Sequence, residues 1–377
     1  MSETESLVCR LAPILRGALA VPSGNDDDPW RRVILTWHPS AAAPPPPVGG
    51  QAAWQLTGLN AAAPETELRD AVRSARERYG TCPAASPDVV VVESAGYFAV
   101  EHAQPGTPTR PLEGKIAMVT GAAGAIGSAI STALLASGCR VAAADLPGAA
   151  LDEFTAELQA SAADRALSVA MDVTRPAAVR AAFDRLALAW GGVDIVVVNA
   201  GIALVSPLTE MDPEAFRRLE AVNVEGTLFT IAEAGRRLRA QGTGGDVILI
   251  STKNVFAPGA NFGAYSATKA AAHQLARIAS LEFAPDQIRV NMVAPDAVFG
   301  AGRRRSGLWA QIGPDRMRAR GLDEKGLEEY YRQRNLLKAR ITPEHVARAV
   351  LFFATRQTPT TGATLPVDGG LPDATPR

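Results

Sequence analysis

The chain has 377 residues, 47% of them hydrophobic, with 38 Lys and Arg against 39 Asp and Glu. It is long and apolar enough to bury a large core, and its net charge of −1 gives no reason to expect nucleic acid or a membrane surface as a partner. Cys9, Cys82 and Cys139 show no paired spacing, and residues 1–6 carry no basic segment ahead of an apolar run, so a reducing, cytoplasmic setting is expected.

From the amino terminus, the apolar spacing predicts a helix over Leu7 to Leu19, a polar turn at Asp26 to Asp28 and a strand at Val33 to Trp37. Residues 41–50 read Ala-Ala-Ala-Pro-Pro-Pro-Pro-Val-Gly-Gly, which excludes regular helix or strand because proline fixes φ and lacks an amide donor. A charged helix over Thr66 to Tyr79 and a buried strand at Asp88 to Glu93 follow, then a Pro- and Gly-containing connection from Gln104 to Pro111. Residues 1–110 are therefore expected to form a small α/β appendage, and residues 111–377 the catalytic domain. No internal repeat is apparent.

Lys115-Ile-Ala-Met-Val-Thr120 is an apolar strand that runs into a turn punctuated by Gly121, Gly124 and Gly127, and then into helix-forming Ser128 to Ser137. Glycines let the backbone approach a pyrophosphate closely, and a helix N-terminus presents free amides with positive partial charge. The next strand, Val141-Ala-Ala-Ala-Asp145, ends in an acid 24 residues after Gly121. A carboxylate there can accept both ribose hydroxyls of a dinucleotide and would repel a 2′-phosphate. NAD is therefore favoured over NADP.

Further along, Ile248-Leu-Ile-Ser251-Thr252 leads to Tyr265-Ser-Ala-Thr-Lys269, with thirteen residues between Thr252 and Tyr265 in the numbering. On a helix, positions i and i+4 share a face, which places the Lys269 ammonium beside the Tyr265 ring. A phenol has an ordinary pKa near 10, so its use as a base at neutral pH costs roughly 4 kcal/mol without help, and a nearby ammonium favours the phenolate. Thr252, at a strand end, can then hold the substrate oxygen. Ser251 is its rival, but adjacent strand residues point to opposite faces. Together these groups form an acid/base site for moving hydride to or from a carbon that bears oxygen.

With these segments in view, residues 111–371 resemble the short-chain dehydrogenase/reductase superfamily. The resemblance is carried by Thr120-Gly-Ala-Ala-Gly-Ala-Ile-Gly127, Asp172-Val173, Asn199-Ala-Gly201, Asn223-Val-Glu-Gly226, the Thr252, Tyr265 and Lys269 set, Arg289-Val-Asn-Met-Val-Ala-Pro295 and Pro366-Val-Asp-Gly-Gly370. It implies a Rossmann-type α/β fold, a doubly wound parallel sheet of seven strands with helices on both faces. It implies Tyr265 as acid/base, Lys269 also on the nicotinamide ribose, Asn223 holding a water in the proton relay, and Asp172 and Asn199 on the adenine and ribose side. Further cofactor contacts are implied for Gly121, Gly124, Ala125, Ile126, Gly127, Val173, Ala200, Gly201, Pro295, Ala297 and Val298, and a homo-oligomer, dimer or tetramer, is expected. Ala123 stands where phosphate-binding relatives often carry a base.

Three departures from the family pattern stand out: Thr252 in place of serine, Val198 in place of the first asparagine of Asn-Asn-Ala-Gly, and Asp296 in place of the glycine after Pro295. Thr252 keeps the hydroxyl, adds a methyl and stiffens χ1, so a narrower pocket is expected. Asp296 puts the nicotinamide-flanking loop in question.

Residues 300–341 form an insertion where the family places its substrate-covering elements. It holds nine Arg with Lys325 and Lys338 against five carboxylates, a net of +6. Arg303 and Arg304, with Arg305, are candidates for a clamp on a substrate phosphate or carboxylate; a solvated, salt-bridged lid or a subunit contact is the alternative. Trp309 either closes over the substrate or packs within the lid. His273 and His345 are expected in packing roles.

Residues 1–110 and the segment from Lys253 to Ala272 also resemble one branch, in which a class II aldolase domain precedes a short-chain dehydrogenase. His38 and His102 are the only histidines before residue 111, too few for that aldolase metal, so the appendage is expected to be non-catalytic and no metal is expected. The expected activity is NAD-dependent interconversion of a secondary alcohol and its carbonyl on a small, sugar-derived molecule. A biosynthetic ketoreductase and a non-catalytic NAD-binding scaffold are the alternatives.

Overall fold

The computed structural model describes residues 1–40, 44, 53–79, 87–102, 110–301, 304–305 and 307–374. Cys82, all but Pro44 of the segment 41–50, and most of the Gln104 to Pro111 connection lie outside the described residues. Helix α1 (Glu3–Ala18) starts earlier than apolar spacing suggests, because Ser2 and Glu5 form a reciprocal capping box ahead of Leu7. Its inner face buries Val8, Leu11 and Leu15.

Two short strands, β1 (Val21–Pro22) and β2 (Trp30–Arg31), pair antiparallel before β3 (Ile34–His38). Then come β4 (Trp54–Leu56), α2 (Glu65–Tyr79), β5 (Val89–Val92) and β6 (Gly96–Glu101), which complete a four-stranded sheet in the order β3-β6-β5-β4. Trp54, Leu35 and Phe98 pack with α1 and α2 into one apolar cluster, which also takes in Ala187 from the following domain.

That domain begins with β7 (Ile116–Thr120), α3 (Ala125–Ala136), β8 (Arg140–Asp145), α4 (Ala149–Ser161), β9 (Ala166–Ala170), α5 (Pro176–Trp190) and β10 (Ile195–Val198). It continues through α6 (Pro213–Glu220), one π-helical turn (Ala221–Glu225), α7 (Gly226–Gln241), β11 (Gly245–Ile250), α8 (Gly263–Phe283) and β12 (Ile288–Pro295). The hairpin β13 (Gly300–Ala301) and β14 (Arg304–Arg305), helices α9 (Gly307–Arg320), α10 (Glu324–Arg334) and α11 (Pro343–Ala354), and β15 (Thr364–Val367) end the chain. Seven strands pair in parallel in the order β15-β12-β11-β10-β7-β8-β9.

Strands β7, β10 and β11 are buried at every residue, as expected where helices cover both faces of a parallel sheet. One apolar layer packs α5, α7 and α8 on the sheet, and the other packs α3, α4 and α11. The chain reverses its winding between β7 and β10, which are neighbours in the sheet but not in sequence. The carboxyl ends of the strands therefore splay apart there and leave a crevice.

The appendage is fastened to the opposite edge of the sheet. Arg16 donates from two nitrogens to Asp194, at 2.7 and 2.8 Å, and its Nε donates to Val33 O at 2.8 Å. Asp194 also accepts from the Ile116 amide at 2.8 Å and from Gln241 at 3.1 Å, while Arg32 stands 3.1 Å from the same carboxylate. Burial would raise the Asp194 carboxyl, but Arg16 and Arg32 override it and hold the group well below the usual carboxylate range. The helices meet closely here: a Cβ on Gly17 would fall 1.7 Å from Gln241 O.

Removing one partner of a buried ion pair leaves the other charge uncompensated, at a cost of roughly 3–5 kcal/mol. Arg16→Met should therefore lower stability by about that amount in urea unfolding. A loss under about 1 kcal/mol would show that Asp194 does not depend on this arginine.

Candidate active site

The crevice opens into a cavity of about 650 Å³ along the carboxyl ends of β7, β8, β10, β11 and β12. Gly121 follows β7 in the left-handed region, φ +64°, and a Cβ there would meet Ala200 Cα at 2.9 Å. A Cβ on Gly127 would meet Gly121 O at 2.1 Å, so the turn closes only with glycine at both places. Gly124 is the N-cap of α3 and supplies no side-chain cap, so the first amides of the helix face the cavity beside Gly124, Ala125, Ile126 and Gly127. These free donors and the room beside Gly124 fit a dinucleotide pyrophosphate.

Asp145, at the end of β8, accepts from the Ala123 and Leu146 amides at 2.9 and 2.8 Å while lining the cavity. Asp172 accepts from the Thr174 amide and hydroxyl at 3.0 and 2.7 Å, next to Val173. Asn199 Nδ2 donates to the Thr120 and Gly121 carbonyls at 2.9 and 3.0 Å, which pins the glycine turn to β10. Its donors are thus spent on the turn, while Ala200, Gly201, Pro295, Ala297 and Val298 extend the cavity wall. Asp296 is buried, its amide bonds Val367 O at 3.2 Å, and its carboxylate stands 3.6 Å from Arg334. The departure from glycine is accommodated by this pairing.

Thr252, Tyr265 and Lys269 line one wall together. Thr252 caps the short turn Lys253–Val255, while Ser251 bonds His273 Nδ1 at 2.9 Å. His273 is buried, with Phe256 edge-on to it, in keeping with a packing role. Asn223 sits in the π-helical turn, a geometry frequent at functional sites. Its Oδ1 accepts from the Ile202 amide at 2.9 Å, and its Nδ2 donates to Ile202 O and Thr268 Oγ1 at 2.9 and 3.1 Å.

The Lys269 ammonium, expected beside the Tyr265 ring, donates from Nζ to Ile250 O at 2.7 Å, and burial lowers its own pKa to about 8. Burial pushes the Tyr265 phenol up to about 12, with only the nearby Thr252 hydroxyl acting the other way. The i, i+4 spacing puts both groups on one face of α8, but the strand carbonyl competes for the ammonium.

In the insertion, Arg303 lies outside the described residues, and only the backbone of Arg304 is described, in β14. Among the described residues, the insertion guanidiniums that line the cavity are Arg316 and Arg334, joined by Lys253 after β11 and Arg218 on α6. Trp309 lines the cavity and stacks on Phe299 with ring centroids 4.3 Å apart. Trp309, Ile312 and Arg316 recur at helical spacing on α9, a signal in the sequence that run-of-charge reading passed over. Among the described residues, no group of three His, Cys, Asp or Glu is arranged to hold a metal ion, and no helix is long and apolar enough to cross a membrane.

A family model described as short chain dehydrogenase matches residues 115–307. L-2,3-butanediol dehydrogenase of Corynebacterium glutamicum is 35% identical over 68% of this chain and 98% of its own length. An uncharacterized oxidoreductase, YuxG, of Bacillus subtilis (strain 168) is 38% identical over 71% of this chain but only 39% of its own, so the chain spans about two fifths of that relative. The crystal structure of a short-chain type dehydrogenase/reductase from Mycobacterium marinum superposes with a TM-score of 0.61 at 30% identity, covering 69% of this chain and 96% of that one.

The phenol offers a direct check. Phenolate absorbance, taken as the difference between the protein and Tyr265→Phe without cofactor, should show ionisation only above about pH 11, given an ordinary value near 10. A midpoint below about 10 would mean that Lys269 acidifies the ring by itself.

Proposed function

The chain belongs to the short-chain dehydrogenase/reductase superfamily, and on that footing we propose that it is an NAD-dependent oxidoreductase interconverting a secondary alcohol and its carbonyl on a small, polyol-like substrate. The observation that carries the reading is the convergence of Thr252, Tyr265 and Lys269 on the cavity wall reached by the free amides of α3. The butanediol dehydrogenase named above, whose length the chain covers almost entirely, supports a small hydroxylated substrate.

A nicotinamide held in this cavity would supply the hydride acceptor. In the oxidative direction the Thr252 hydroxyl holds the substrate oxygen and Tyr265 Oη takes its proton. For that, the phenol must drop from about 12, so Lys269 must leave Ile250 O and turn toward the ring and the ribose. Asn223 serves the relay through its carbonyl oxygen, which already accepts from Thr227 at 2.8 Å and keeps a second lone pair for a water. Trp309 and Ile312 cover the site and keep water from the transfer.

Asp145 supports NAD over NADP, since its carboxylate faces the cavity at the end of β8 and a 2′-phosphate there would meet like charge. The appendage is read as non-catalytic, in the manner of a reduced aldolase-like module. His38 is stacked on Tyr97, and His102 leans on Pro87 O and Asp88, so neither is offered as a metal ligand. The retained acid/base set argues against a scaffold, because binding alone makes no use of it.

Tyr265→Phe should cut NADH formation from a vicinal diol such as 2,3-butanediol by on the order of 10²–10⁴-fold while leaving NAD affinity within about twofold; retained turnover would sink the assignment. Asp145→Ala should weaken NAD binding and narrow its preference over NADP, as measured by kcat/KM with each cofactor. Equal use of both by the unmodified protein would refute the electrostatic argument for NAD.

A further inference from the structure

Resting on the reading of the cavity as a dehydrogenase site, we infer that the substrate carries an anionic group, a phosphate or a carboxylate, which Arg316 receives. Arg316 is 6% exposed and lines the cavity. Its Nη2 donates to Tyr331 Oη at 3.2 Å, its guanidinium lies 4.8 Å over the Phe262 ring, and its Nε is buried with no hydrogen-bond partner. No carboxylate among the described residues pairs with it. A buried guanidinium without a counter-ion is costly unless a ligand completes it, and the donors this one leaves unfilled, on a side chain that lines the cavity, are what such a ligand would take.

The surroundings agree. Phe262 is edge-on to Tyr265 with ring centroids 6.0 Å apart, so the guanidinium stands two ring contacts from the reacting phenol, within reach of a short carbon chain. Arg334 and Lys253 line the same end of the cavity. Burial lowers the Lys253 ammonium, and Arg334 and Arg316 depress it further against Asp296 and Asp373. Of the carboxylates along the cavity, Asp145 and Asp172 stand at the glycine-turn end and Asp296 is turned to Arg334, while Asp373 acts on Lys253; Arg316 has no ion pair among the described residues. The cation over Phe262 also explains why this end of the lid is built from Tyr331 and Trp309 rather than from carboxylates: rings tolerate a guanidinium without neutralising it.

The test compares D-sorbitol, D-sorbitol 6-phosphate and D-gluconate as NAD-linked substrates of the full chain, and repeats them with Arg316→Met. One or both anionic compounds should be preferred over sorbitol by at least about tenfold in kcat/KM, and Arg316→Met should remove about 10- to 100-fold more kcat/KM from those compounds than from sorbitol, mainly through KM. The phosphate and carboxylate arms tell which anion is meant. A preference for sorbitol, or an equal loss on all three in Arg316→Met, overturns the inference. The preference of the unmodified protein decides the matter even if the variant fails to fold. Should none of the three be oxidised, the dehydrogenase reading fails for such substrates, and calorimetric titration of inorganic phosphate at saturating NAD decides the anion site separately. Binding that Arg316→Met abolishes supports the site, and binding unchanged by the substitution, or none to the unmodified protein, refutes it.

Discussion

A buried carboxylate organises this molecule. Asp194, just ahead of β10, gathers the first amide of β7, the end of α7 and two arginines of the amino-terminal unit around one charge. Burying an ion costs several kcal/mol unless its lone pairs are filled, and the domain's own groups, one amide, one glutamine and the more distant Lys115, do not pair it directly. Arg16 and Arg32 do. The network then runs on through Asp28, which meets Arg32, Lys115 and Arg356, to Asp246, which meets Arg356 and Arg289. The appendage is thus part of the electrostatic closure of the sheet's amino edge, whatever else it does.

The opposite edge is built on the contrary principle. There the strands end in glycines, free helix amides and a cavity, and polar groups are left for a ligand to complete. Asn199 and Thr120 spend their hydrogen bonds on holding the glycine turn, and Asn223 spends its side chain on the Ile202 backbone and Thr268. Because these supports are fully bonded, the reactive groups can remain underbonded without the backbone relaxing around them. Tyr265 and Lys269 fit this division: the ammonium rests on a strand carbonyl, and burial pushes the phenol up to about 12.

Much of this was legible in the chain. An apolar strand, a glycine turn, a helix and an acid at the next strand end were legible directly, because periodicity and turn chemistry are local properties; the doubly wound seven-stranded sheet was implied by the family resemblance and is what the structure shows. In the first hundred residues α1, α2, β3 and β5 were legible, apart from the early start of α1, where the Ser2 and Glu5 capping signal outweighed the apolar pattern; the short strands β1, β2 and β4 and the hairpin partner β6 were not, because pairing with distant segments rather than local pattern defines them. Less was legible in the lid. Counting arginines drew attention to the run at 303 to 305, whose side chains lie outside the described residues, and passed over Arg316, whose significance depends on Phe262 and Tyr331 from elements about 50 residues before it and 15 after it.

What the sequence alone determined is the order of elements, the glycine turn and the residues of the acid/base set, since each follows from propensity, φ or spacing along a single element. What only the tertiary structure decided is which charges are compensated. The state of Tyr265 turns on its burial, the need for Arg16 on a carboxylate at the start of β10, and the unpaired charge of Arg316 on the lack of an ion-pair partner among the described residues. Electrostatic energies depend on distance and burial across the fold, and neither quantity is written in the spacing of residues along the chain.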